Sequence, residues 1–134
     1  MSNDDYKTIV RNAYEAFDRH DGAPLMAALA DDVDWSDPLP DDHPVGGTFR
    51  GKAAVREYFA ALSQIAEIRA FEIVDIVGEG DKVVAQMHLE TTMRHNGADF
   101  VGDSAHVWTF NAEGRASSYR IYADTERIMA AFRA

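Results

Sequence analysis

The sequence contains no cysteine, and only 13 Lys and Arg stand against 23 Asp and Glu, a formal charge of −10 at pH 7. Without thiols there is no disulfide scaffold, no cysteine-ligated zinc module and no thiol nucleophile. The shortage of positive charge argues against nucleic acid as a partner, because phosphate contacts need clustered Lys and Arg. It argues equally against an anionic membrane surface. No apolar run approaches the ~20 residues that a membrane span requires. The opening MSNDDYKT carries acids where a signal peptide carries a basic segment. The expected location is therefore the cytoplasm.

What is present is ordinary for a globular chain. The 134 residues are 46% hydrophobic, which suits one domain with a core that needs no cross-link. No repeat, linker or low-complexity tract divides residues 1–134. The first half reads as helix. Ile9, Val10, Ala13, Tyr14, Ala16 and Phe17 recur at helical spacing, with Asp4 and Asp5 in the first turn. Asp21-Gly22 is the expected stop, Gly22 taking the left-handed position. A short helix follows Pro24 as far as Ala30, and Val33, Trp35 and Asp37 then alternate as a strand up to Pro38. Two of the four prolines fall in Leu39 to Gly47, a loop. A third helix is expected from Lys52 to Ile65, with Ala54, Val55, Tyr58, Phe59 and Leu62 on its apolar face.

The second half reads as sheet. Strands are expected over Phe71 to Val77, Lys82 to Arg94, Asp99 to Phe110 and Arg115 to Ala123, with a closing helix after Asp124. Helices first and a meander second indicate an α+β domain. Asn96-Gly97 is a strong two-residue hairpin signal, and closing it pairs His95 with Ala98. Met87 then meets His106, Leu89 meets Ser104, and Ala85 meets Trp108. Pairing Phe110 with Arg115 sets His106 beside Tyr119. One face thus collects Val83, Ala85, Met87, Leu89, Thr91, Ser104, His106, Trp108, Tyr119 and Ile121. The other collects Gln86, His88, Glu90, Asp103, Arg120 and Tyr122. His106 is the readily ionised group on the apolar face, either a satisfied core histidine or a donor in a site. The polar face is either solvated or covered by a second copy of the chain.

The run from Val10 to Phe17, then Asp21-Gly22, then Leu29 to Pro38 resembles the SnoaL-like polyketide cyclase and ketosteroid isomerase-like families of the nuclear transport factor 2-like superfamily. Gly47 to Gly51, Ala105 to Phe110 and Tyr119 to Asp124 fit in the same order. The resemblance implies a cone-shaped roll, three N-terminal helices on a curved antiparallel sheet, enclosing a pocket. It also implies a homodimer through the outer sheet face, residues Gln86, His88, Glu90, Asp103, Arg120 and Tyr122. Asp37, before Pro38, takes the place of the isomerase base. Tyr14 takes that of the oxyanion donor, and His106 that of a protonated aspartate that donates in the isomerases. A helix-three tyrosine of the isomerases is replaced by Phe59, with Tyr58 one position early, and the loop from Leu39 to Gly47 is longer.

The residues themselves fit that chemistry. A carboxylate in an apolar pocket is pushed toward useful base strength, and two preorganised donors stabilise an enolate. The bland alternatives are an Asp-Pro turn for Asp37 and a core position for Tyr14. Phe17, Trp35, Phe59, Met87, Leu89, Trp108 and Tyr119 are expected to shape the cavity. His88 and His106 lie on opposite faces, which disfavours a dehydratase pair. The outward Arg120 disfavours an epoxide hydrolase. The five histidines show no metal-ligand spacing. The expected activity is cofactor-independent proton transfer, as an isomerase or aldol-type cyclase, on a small hydrophobic carbonyl compound. The competing expectation is a domain of the same fold that binds such a ligand without catalysis.

Overall fold

A computed structural model describes residues 1–134. Helix α1 spans Asn3–Asp18, started by a capping box in which Ser2 and Asp5 bond each other's backbone amides. Its exit differs from expectation. Gly22 lies at φ −84°, and the left-handed residue is His20 at φ 66°. The amides of His20 and Asp21 reach back to the carbonyls of Phe17 and Ala16, both at 2.9 Å. These paired bonds satisfy the last carbonyls of the helix two residues earlier than glycine would have done. The short α2, Ala23–Ala27, leads into β1, Leu29–Asp37.

Strand β2, Gly47–Arg50, then pairs back on β1. Four residues inside a Gly- and Pro-rich stretch carried too little alternation to mark it. Helix α3 covers Lys52–Ile65, and β3 begins immediately after it, Ala66–Glu79. Strands β4 (Lys82–Met93), β5 (Asp99–Phe110) and β6 (Ala116–Ala123) follow, and α4 (Thr125–Arg133) closes the chain. The result is an α+β fold of four helices and one six-stranded sheet, ordered β2-β1-β6-β5-β4-β3. Two features depart from three N-terminal helices on an antiparallel sheet. Helix α3 enters only after β1 and β2, and β1 runs parallel to β6. Irregular pairing between Ile68 and Ala70 and between Ile73 and Asp75 bends β3, so the sheet curves around its inner face.

The central register is displaced from expectation by one pair. Val83 meets Trp108, Ala85 meets His106, and Met87 meets Ser104. The cause is the turn. A type I′ hairpin needs positive φ at both central residues, yet of Asn96 and Gly97 only Gly97 has it, at 72°. Instead Met93 donates to Ala98 at 2.8 Å and closes a four-residue loop, 94–97. The Asn96 amide group is used elsewhere, donating to the carbonyls of Ala131 and Ala134 at 2.9 and 3.0 Å. His95 Nε2 bonds the Phe132 carbonyl at 2.7 Å. The loop thus caps the otherwise unpaired carbonyls of α4.

Because the displacement is a whole pair, every side chain keeps its face. The β5–β6 pairing moves likewise, with Trp108 meeting Tyr119 and His106 meeting Ile121. Val10, Leu29, Val33, Trp35, Val55 and Met87 are fully buried in one core between the sheet and the helices. No helix is long and apolar enough to cross a membrane.

Candidate functional site

The inner face of the sheet is closed by α1 and α3 at one end and leaves a cavity of about 150 Å³ toward the α4 end. Twenty of its 25 lining residues are hydrophobic. Asp37, Tyr14 and His106 all line it, as do Phe17, Trp35, Phe59, Leu89 and Tyr119. Met87 and Trp108 do not: both are fully buried behind the wall. Along β4 the lining runs from Leu89 to Met93 and along β5 it reaches as far as His106, so Met87 and Trp108 fall one step beyond it on the same face.

Asp37 ends β1, where Pro38 forbids a further ladder bond. Its Oδ1 accepts from the Leu39 amide at 3.0 Å, the Asx turn, and its Oδ2 accepts from the Tyr58 hydroxyl at 2.7 Å. Burial pushes the carboxyl above the usual aspartate range, and Tyr58, the Leu39 amide and nearby His43 hold it back. Tyr58 is itself pushed up, first by burial and then by the carboxylate it faces. His43 also lines the cavity. The loop folds on itself through His43 to Pro40 and Gly46 to His43 bonds, at 2.8 and 2.9 Å. The Val45 amide donates to His43 Nδ1 at 3.2 Å, which fixes the ring against the loop. Burial lowers its pKa, against the pull of Asp37 and Asp42.

A second hydrogen-bonded group lines the cavity on β5, β6 and α1. His106 Nδ1 is 2.7 Å from the Tyr119 hydroxyl and 2.9 Å from that of Tyr14. The two hydroxyls are 2.9 Å apart, and Trp108 Nε1 donates to Tyr14 at 2.9 Å. His106 Nε2 is 3.0 Å from Ser104 Oγ. Burial drives the His106 pKa down to about 3, so the imidazole is neutral at physiological pH. Burial also raises both tyrosines, which keeps their hydrogens in place.

A neutral ring allows two patterns. With the hydrogen on Nε2, bonds run from Trp108 through Tyr14 and Tyr119 to His106 and on to Ser104, whose own hydrogen remains free. With it on Nδ1 the direction reverses, and Tyr14 keeps the free hydrogen. Either way one hydroxyl hydrogen is left over on the cavity wall.

Three of these residues were absent from the sequence-based site. Tyr58 had a signal, since Val55 and Leu62 flank it at helical spacing on the buried side of α3. Ser104 was on the correct face by alternation. His43 sits in a loop whose sequence carries no period at all.

The SnoaL-like domain family matches residues 10–119, most of the chain. The chain belongs to that family. Among solved structures it is similar to an NTF2-like protein of unknown function from Burkholderia pseudomallei K96243. The two are 30% identical with a TM-score of 0.87, over 100% of each chain. TerC, co-crystallised with polyporic acid, has a TM-score of 0.79 at 21% identity, over 96% of this chain and 98% of that one. A candidate polyketide cyclase of Pseudomonas putida KT2440 has a TM-score of 0.75 at 18% identity, over 97% of each. The last two likenesses speak for the SnoaL-like fold alone. No curated protein matches the chain.

Proposed function

We propose that the inner cavity of this SnoaL-like domain takes a compact, largely apolar carbonyl compound and moves a proton on the carbon beside the carbonyl. The observation that carries this is the convergence of Asp37, Tyr14 and His106 on one apolar cavity. The Asp37 carboxylate accepts the proton; the C–H electron pair moves into the new C=C bond, and charge develops on the carbonyl oxygen. That oxygen accepts from the wall cluster, through the Tyr14 or Ser104 hydroxyl according to which nitrogen of His106 carries hydrogen. His106 and Tyr119 position that donor. Returning the proton to a different carbon is isomerisation, and attack of the enolate on a second carbonyl is aldol-type cyclisation. Neither step calls for a cofactor. Such positioned donors and bases are worth about 10²–10⁴-fold each in rate.

One observation favours a second reading, a binding domain without catalysis. Each Asp37 oxygen already accepts a hydrogen bond, as in a purely structural turn. A pH–activity profile over a panel of small enolisable ketones separates the two. Proton transfer predicts turnover that collapses in Asp37→Asn and falls strongly in Tyr14→Phe. Ligand binding without turnover, or turnover indifferent to both substitutions, favours the binding domain.

A further inference from the structure

A second cavity, of about 1120 Å³, opens at the surface beside the first. The two share Phe17, Leu25, Phe59, Leu62 and Phe71, so they are contiguous along one apolar border. Its polar lining is unusual for this chain. Arg56 comes from α3, Arg69 from β3 and Arg94 from the loop after β4, against two acids, Asp18 and Glu67. Thirteen basic and 23 acidic residues make up the whole, so the balance of charge reverses here.

Arg69 is already engaged, with Glu90 at 3.6 Å and Asp99 at 3.7 Å. Arg94 is anchored differently: its Nε donates to the Ser63 carbonyl at 2.8 Å. That bond fixes the guanidinium plane and leaves its terminal N–H groups with no carboxylate. Arg56, one helical turn before Phe59, has no carboxylate within the 4.0 Å of an ion pair, and neither Asp18 nor Glu67 comes that close to any arginine. Two guanidinium groups thus stand unpaired at an apolar rim. A planar carboxylate would satisfy them by paired, charge-assisted bonds.

We propose that the outer cavity is an anion subsite, in which Arg56 and Arg94 hold the carboxylate of a small amphiphilic acid. The apolar, carbonyl-bearing end of that acid enters the inner cavity; this placement rests on the reading of the inner cavity given above. The substrate class is thereby narrowed from apolar carbonyl compounds to apolar keto acids.

The test uses two fluorescent probes with one ring system, anilinonaphthalene sulfonate and its uncharged counterpart N-phenylnaphthylamine. With the unaltered protein, raising salt from about 50 to about 500 mM weakens the sulfonate probe several-fold and leaves the neutral probe unchanged. In the double variant Arg56→Gln, Arg94→Gln the sulfonate affinity drops about tenfold, and the neutral probe binds within about twofold of before. An equal salt response of the two probes, or undiminished sulfonate binding in the variant, would overturn the subsite. Should the variant lose both probes, the salt response of the unaltered protein decides alone. Probe binding reads the anion subsite and turnover of uncharged ketones reads proton transfer, so a failure of the proton-transfer reading is distinguishable from a failure of the anion subsite.

Discussion

The Tyr58 hydroxyl donates to Oδ2 of Asp37 at 2.7 Å, joining the middle of α3 to the last residue of β1. This bond stabilises the ionised carboxylate against the burial that opposes it. Tyr58→Phe removes a donor to the charged form, so the Asp37 pKa moves further up. The acid limb of the pH–rate profile shifts to higher pH, and the thermal midpoint falls by the equivalent of about 1 kcal/mol. A profile that does not move would show that Asp37 is not the titrating base.

His106 gives a stability prediction with a definite sign. Its folded pKa, about 3, lies below the ordinary 6.5, so unfolding takes up a proton. The stabilisation is complete above 6.5 and is lost as the pH falls from 6.5 toward 3. At its full extent it is worth about 5 kcal/mol. Thermal melts should therefore steepen with acid over that window, and His106→Asn should flatten the slope.

Behind the cavity wall, Met87 is fully buried and makes no part of the lining. Met87→Ala is expected to cost about 2–5 kcal/mol in denaturant unfolding. Ser104→Ala should do the reverse: it removes the hydroxyl at the end of the wall cluster, slowing turnover with little loss of stability. A Ser104→Ala variant as active as the parent would place the free hydrogen on Tyr14 instead.

The outer face of the sheet carries His88 between Asp103 and Glu90, at 2.9 and 3.1 Å, beside the exposed Val101 and Tyr122. We propose that two copies of the chain meet there. Sedimentation equilibrium should give a dimer that Tyr122→Asp converts to a monomer; a monomeric parent protein contradicts the proposal. The two carboxylates raise the His88 pKa, and Asp103→Asn should lower it in an NMR titration.

The inner and outer faces of the sheet were legible in the sequence because alternation survives a displacement of whole pairs. The register was not, because Asn96 serves the end of α4, a contact between residues far apart in the chain. His20 took the left-handed position for a similar reason: two backbone bonds at the end of α1 outweighed the preference for glycine. Asp37, Tyr14 and His106 could be found from pattern and resemblance. Tyr58 was visible as a buried helix position but not as a partner of Asp37, since its register against β1 depends on how α3 packs. His43 left no trace in any periodic pattern.

The central claim is that Asp37 removes a proton from carbon. Exchange of α-hydrogen for solvent deuterium in a small bicyclic ketone, followed by NMR, tests that step without knowledge of the product. The account predicts exchange well above the buffer rate, rising with pH as Asp37 ionises and reduced by about 100-fold or more in Asp37→Asn. Exchange at the buffer rate across the ketone panel, or an Asp37→Asn variant that exchanges as fast as the parent, would contradict it.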